Sequence, residues 1–279
     1  MARASRSQKL IIRRHRVDPR VPATSPGDGI RPRRVPDHVI VEEPMEIRLD
    51  GLPVATTMRT PGHDFELAVG LCVSEGLISA DMPVGIRYCA TESAAKSEFN
   101  VVTVDTAGRG RRPHERLGTV SSSCGVCGTD SIDRLTARLR PVRSDWDLRA
   151  EVVHSLGDRI RAAQELFSLT GGVHGAGAFD PGGEPVVVRE DIGRHNAVDK
   201  VVGRLFLDRR IPATGLGLFV SGRASFEMVQ KAWAAGFGVV VAVSAPSSLA
   251  VETARRGGMT LVGFVRDGGF NVYSGEVLP

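Results

Sequence analysis

The sequence predicts a layered α/β protein, and three observations carry that expectation. Beyond residue 150, strand-like apolar runs alternate with helix-length amphipathic segments. The run Val239-Val240-Val241-Ala242-Val243 is apolar at every position, the pattern of a sheet covered on both faces. The strand ends carry small polar residues that open helices, as parallel strands joined by right-handed crossovers require. The chain has 279 residues, 42% of them hydrophobic, enough to bury one large core or two modest ones.

Three regions are expected. Residues 1–34 hold ten Lys/Arg against two Asp, with prolines and little apolar content, and are read as a disordered basic arm. This arm lacks the apolar centre of a secretory signal. Without it the body carries 26 basic and 30 acidic side chains and is mildly acidic, although the whole chain is at +4. Residues 35–140 read as a smaller β-rich α+β subdomain ending in a cysteine loop, and residues 150–279 as the α/β domain. The apolar run Phe237–Ala245 is too short to span a bilayer, so no membrane partner is expected. Aromatics are only 5% and no basic stripe is interleaved with them, which argues against nucleic acid.

In chain order, 37–60 predicts a hairpin turning at Asp50-Gly51. A helix over 64–74 follows, with Leu67, Ala68, Leu71 and Cys72 on one face, which makes Cys72 a core residue. Short strands are expected over 85–91, containing Cys89, and 98–105. The Gly- and Arg-rich segment 106–118 leads into the cysteine loop, after which a helix is expected over 129–139. Val153, Leu156, Ile160, Ala163, Leu166 and Phe167 keep one helical period, ended by Thr170-Gly171-Gly172. Strands over 175–179 and 185–189, a helix over 194–207 and a strand over 217–221 come next. The series continues with a helix over 226–235, a strand over 238–244, a helix over 249–255 and strands over 260–266 and 271–273.

The chemistry starts at Ser122-Ser123-Cys124-Gly125-Val126-Cys127-Gly128, where two of the four cysteines sit in a loop that cannot build a core. Glycines there favour exposure, and exposed cysteines are the reactive ones. Arg109, Arg111, Arg112, His114 and Arg116 before the loop, and Arg134, Arg138 and Arg140 after it, favour a thiolate. A zinc site, a dithiol redox site, a sulfur-carrying thiol and an accidental surface pair all compete here. Zinc wants a second ligand pair nearby, and a thioredoxin-type site wants a βαβ context; neither is present in the sequence. Four cysteines without a second clustered pair point to a reducing, cytoplasmic setting.

A ligand site is expected beyond the strand ends, at Glu190-Asp191, Ser221-Gly222-Arg223, 244–248 and Arg266-Asp267-Gly268-Gly269, where helix N-termini favour phosphate. Ser225 and Ser247 read equally as N-caps. His174, between glycines, is a candidate ligand or acid/base, or a turn histidine. His195 and Asp199 share a helical face and form a candidate local pair. Neither a P-loop nor a complete dinucleotide fingerprint occurs.

Five blocks resemble one family: Ser-Ser-Cys-Gly-Val-Cys-Gly at 122–128, Thr-Gly-Gly-Val-His-Gly-Ala at 170–176, Arg-Glu-Asp-Ile-Gly-Arg-His-Asn-Ala-Val-Asp-Lys at 189–200, Ser-Gly-Arg-Ala-Ser at 221–225 and Ser-Ala-Pro-Ser-Ser-Leu-Ala at 244–250. Together they resemble the formate dehydrogenase accessory proteins of the FdhD/NarQ type, over residues 37–275. The resemblance implies a sulfurtransferase that takes persulfide sulfur from a cysteine desulfurase. The sulfur then passes to the molybdenum bis(molybdopterin guanine dinucleotide) cofactor, bound as substrate and mimicked by a guanine nucleotide, for the formate dehydrogenase catalytic subunit. It puts the persulfide on Cys124 with Cys127 beside it, and cofactor binding on Phe264, Val265, Arg266, Asp267, Gly268 and Gly269. Ser221, Gly222, Arg223 and His174 join that expected binding set. The expected fold is like that of cytidine deaminases, although their H-x-E and P-C-x-x-C zinc elements are missing, and the expected assembly is a homodimer. A cofactor-binding chaperone with incidental thiols is the alternative.

Overall fold

The computed structural model describes residues 5–17, 30–88, 99–111, 139–142, 144–266 and 268–279. Its N-terminal strands are β1 (Ser7–Val17), β2 (Ile30–Ile40), β3 (Glu43–Leu49) and β4 (Leu52–Arg59). Helix α1 (Asp64–Ser74), β5 (Gly85–Tyr88) and β6 (Val101–Asp105) follow. After residue 149 come α2 (Ala150–Ala162), α3 (Glu165–Thr170), β7 (His174–Phe179), β8 (Pro185–Asp191), α4 (Arg194–Leu207) and β9 (Gly217–Val220). The chain continues through α5 (Phe226–Ala234), β10 (Val239–Ala242), α6 (Ser248–Arg256), β11 (Thr260–Arg266) and β12 (Gly269–Ser274).

The layered domain is a six-stranded sheet in the order β12-β11-β10-β9-β7-β8, with β9, β10 and β11 parallel and the other pairings antiparallel. Alternate residues of its strands enter two clusters. Leu218, Val220, Val240, Ala242 and Leu261 share a core with residues of α4, α5 and α6, whereas Phe219, Val239, Val241 and Val262 pack with α2. Burial on both faces is why these strands read as continuous apolar runs.

The N-terminal sheet has the order β4-β3-β6-β5, and β3 and β4 turn at Asp50-Gly51. Both turn residues have positive φ, 48° and 85°, which the tight twisted hairpin needs. Buried residues of this sheet, such as Met45, Ile47, Val102 and Val104, belong to the same cluster as those of α1 and α4. The expected division into two units therefore crosses one continuous core. Gly70 of α1 and Gly203 of α4 make that junction close: a Cβ on Gly70 would lie 1.8 Å from the Asp199 carbonyl oxygen, and one on Gly203 1.8 Å from that of Glu66.

Three expectations are corrected. The basic arm is not wholly unstructured, because β1 and β2 pair antiparallel from Ser7–Ile40 to Val17–Ile30. Half-buried Ile12 and Val35 oppose each other in that ribbon, an apolar rung that composition alone obscures. The single helix expected after residue 150 is two, because Gln164 takes an extended conformation (φ −92°, ψ 92°). The Glu190 carboxylate then accepts hydrogen bonds from the Leu166 and Phe167 N–H groups, 2.9 and 2.7 Å, satisfying donors of the new helix start. Finally, His195 and Asp199 do not pair: His195 meets Glu227 at 3.3 Å, and Asp199 accepts from Lys231 at 2.9 Å.

Candidate functional site

A cleft of about 690 Å³ opens at the carboxyl edge of the three parallel strands, on the α2 side of the sheet. Ser221 and Val243, just past the ends of β9 and β10, and Val265 of β11 line it, as do His174 at the start of β7 and the loop Gly171–Val173. Helix α2 supplies Gly157, Asp158 and Arg161, and Gln164, Phe167, Ile192 and Phe219 complete the wall. From the carboxyl ends of β9 and β10 the chain turns into α5 and α6 on the opposite face of the sheet, which leaves a crevice at this edge.

Val265 reaches the cleft because of a bulge. Gly263 pairs with Asn271, but the next paired residue is Arg266, opposite Gly269. Phe264 between them has φ 55°, a left-handed conformation uncommon outside glycine. That extra step puts Val265 in the same cluster as Val262, three positions back, instead of on the opposite face.

The polar groups are held from behind. The Ser221 hydroxyl accepts from the Gly175 N–H at 3.0 Å, which leaves its own proton to donate to a ligand. Burial holds the His174 pKa below its ordinary value, and the positive charges of Arg194 and His195 lower it further against the opposing pull of Asp191. At neutral pH its imidazole is therefore uncharged and offers one donor and one acceptor. Gly222 lies beside the ring: a Cβ there would stand 3.6 Å from it, an ordinary contact distance.

Gln164 is 3% exposed and its Nε2 has no hydrogen-bond partner. Its amide packs against Gly175, where a Cβ would come within 2.3 Å of Nε2. Arg161 places its guanidinium 3.4 Å above the centre of the Phe167 ring.

The block at 189–200 has a structural task. Lys200 and Asp191, both fully buried, are 2.6 Å apart. Asp191 also accepts from the N–H groups of Thr60 and Gly193 and from the Asn196 amide, while the Lys200 ammonium donates to the Thr60 carbonyl at 2.9 Å. Asn196 donates to the Met58 carbonyl at 2.7 Å. These bonds tie the turn between β8 and α4, one wall of the cleft, to the end of β4.

Of the residues expected at the site, His174, Ser221 and Val265 line the cleft and Gly222 lies beside the His174 ring. Phe264 lies beside it with the Arg266 guanidinium 5.5 Å from its ring centre, and Gly268 and Gly269 form the turn into β12. Arg223 is exposed and does not line the cleft. Cys124, Cys127, Cys89 and Asp267, together with the helix expected over 129–139 up to residue 138, lie outside the described residues. Cys72 is buried, and burial followed by the nearby Asp199 charge pushes its thiol up to about 12, so it is inert. Ser247 caps α6 by accepting from the Ala250 N–H, whereas the Ser225 hydroxyl donates to Glu227 instead of capping α5.

Sequence reasoning missed Asp158, Arg161, Gln164 and Phe167. Gln164 did carry a signal: it falls on the Ile160–Phe167 stripe, where a polar side chain interrupts an apolar face.

Comparison with known proteins gives a consistent result. The profile of the FdhD/NarQ family matches residues 40–277. The sulfur carrier protein FdhD of Streptomyces avermitilis is 52% identical over 253 residues, covering 86% of this chain and 88% of that one. The protein of the same name from Corynebacterium efficiens is 44% identical over 279 residues, covering 95% and 99%. A crystal structure from Desulfotalea psychrophila, named as a formate dehydrogenase accessory protein, shares the fold with a TM-score of 0.71 at 24% identity, covering 96% of this chain and 97% of that one.

Proposed function

Because the chain belongs to the FdhD/NarQ family, we propose that it is a sulfur carrier that loads sulfur on Cys124 and delivers it to a molybdenum bis(molybdopterin guanine dinucleotide) substrate seated partly in the cleft. In the loading step the Cys124 thiolate attacks the outer sulfur of a cysteine desulfurase persulfide. The desulfurase thiolate leaves, and the sulfane sulfur changes hands with no net oxidation. Cys127 assists release or protects the persulfide, and the arginines on either side of the loop favour thiolate and attract the anionic substrate.

The observation that carries this reading is the position of the cleft. A crevice at the carboxyl edge of parallel strands, with a neutral His174 and a donating Ser221, suits a nucleotide arm of the substrate. Its size is that of a pocket for a single nucleotide-sized ligand. The name carried by the relatives, sulfur carrier protein, points the same way for the cysteine pair. The recipient is then the formate dehydrogenase catalytic subunit, the working form a homodimer, and the layered domain a zinc-free relative of the cytidine deaminase fold.

Intact-mass measurement after incubation with a desulfurase and free cysteine tests the loading step. One added sulfur is expected, absent in Cys124→Ala; an unchanged adduct in that variant would overturn the assignment.

A further inference from the structure

The ribbon of β1 and β2 carries charge that its own pairing opposes. Its strands, 11 residues each, hold seven Lys/Arg and one Asp. The register sets Arg13 opposite Arg34, Arg14 opposite Arg33 and Arg16 opposite Arg31, so that like charges face each other rung after rung. Opposed like charges destabilise a strand pair, and among the described residues no further strand supports this one. Arg14 meets Asp37 at 3.3 Å, whereas Arg13, Arg33 and Arg34 are exposed and make no ion pair with a described residue. Exposed Ile11 and Pro36 form the rung beside Arg13–Arg34 on the same face, and Leu10 is exposed on the other. The base of the ribbon is fixed to the cleft wall: β2 packs on α3, and a Cβ on Gly172 would stand 3.6 Å from Ile40. From there each strand spans about 35 Å.

From these features we infer that the ribbon is a docking arm for the protein that receives the sulfurated substrate, and that the face it grips is acidic around a small apolar patch. Such a face neutralises rungs that repel each other in the free chain and covers Ile11 and Leu10. Arginine set among aliphatic side chains is the composition of a protein interface. The phosphates of a nucleic acid would engage the arginines but leave Ile11 and Leu10 in water. An anionic membrane would need the charge on one face, whereas Arg13 and Arg14, adjacent in the strand, lie on opposite faces. Strand addition along β2 is opposed by Pro32 and Pro36, which have no N–H to give. Because the ribbon's base shares the cleft wall, a protein held on it sits where the substrate leaves. The inference rests on the proposed function and names the surface that brings the recipient to the cleft; loading of Cys124 plays no part in it.

The test is calorimetric titration of the full chain with the cofactor-free formate dehydrogenase catalytic subunit, a cysteine desulfurase, a DNA duplex of mixed sequence and phosphatidylglycerol vesicles, at low and high salt. Three proteins are compared: wild type, Arg13→Glu with Arg14→Glu, and Ile11→Ser. The double variant sets a carboxylate opposite each of Arg34 and Arg33, so the ribbon's own pairing is strengthened while its charge falls. A merely structural role would leave binding intact there. Wild type is expected to bind the catalytic subunit, less tightly as salt rises. The double variant should lose about tenfold or more in that affinity, and Ile11→Ser about fivefold. Sulfur loading on Cys124 should be the same in all three. No binding of the catalytic subunit to wild type, or equal binding in the double variant, overturns this inference. Loss of desulfurase binding alone, of duplex or vesicle binding alone, or of a wild-type dimer in light scattering also overturns it, by assigning the ribbon to another occupant. Failure of wild type to load Cys124 overturns the proposed function instead and is read by mass, separately from any binding.

Discussion

The buried side chains of Lys200 and Glu66 each face opposite charge, and those pairings set stability and its pH dependence. Lys200 has no exposed surface and faces Asp191 at 2.6 Å, inside a set of bonds that also satisfies Thr60, Gly193 and Asn196. Removing the cation leaves the carboxylate buried without a counter-charge, so Lys200→Met should lose about 3–5 kcal/mol in urea unfolding. Glu66 obeys a different balance. Burial opposes its charge, but the hydrogen bonds and charges of Arg189 and His63 outweigh that and bring its pKa to about 2. A carboxyl depressed on folding contributes stability that is complete above its unfolded value of 4.5 and is lost as pH falls toward 2. Arg189→Met should therefore be destabilised relative to wild type at pH 7, with the gap narrowing in denaturation measured near pH 3.

At the scale of elements, the crossing of α1 and α4 depends on two residues without side chains. Each backbone fills the space a methyl group would need on the other, so Gly203→Ala must separate the helices. The expected loss is about 3 kcal/mol, in the upper range for overpacked cores. Gly157 on α2 is the opposite case, with nothing within 4 Å of its missing Cβ. Gly157→Ala should gain about 0.5–1 kcal/mol by helix propensity, and chemical denaturation of the two variants side by side checks the contrast. The break between α2 and α3 belongs to this scale as well. An unbroken helix would keep the Leu166 and Phe167 N–H groups in its own ladder, and Glu190 would lose the donors it now serves.

For the whole molecule, the two sheets are joined by a core that neither closes alone. Val198, Val201, Val202 and Leu205 of α4 are all buried in the cluster that also contains Leu67, Val69 and Leu71 of α1. A fragment of residues 140–279 should therefore expose an apolar helix face and bind a hydrophobic dye, whereas the full chain should not. A cooperative, dye-silent fragment would show that the layered domain closes its own core. The ribbon of β1 and β2 stands outside this arrangement, with Ile11 60% exposed at one of its rungs.

By itself the sequence determined most of the elements and the edge on which the cleft lies. Helices 64–74 and 194–207, the strand 260–266 and the Asp50-Gly51 turn follow from local periodicity and turn chemistry, which act over a few residues and leave their mark there. His174 and Ser221 were legible for the same reason, since small polar residues at strand ends announce where backbone comes near a ligand. The tertiary structure alone decided that Gln164 would break a helix to enter the cleft and that Val265 would turn inward across a bulge. It also decided that Asp199 would choose Lys231 over His195. Each of these depends on a partner more than 20 residues away or on a backbone step costing local regularity, and such terms are paired only once the chain has folded.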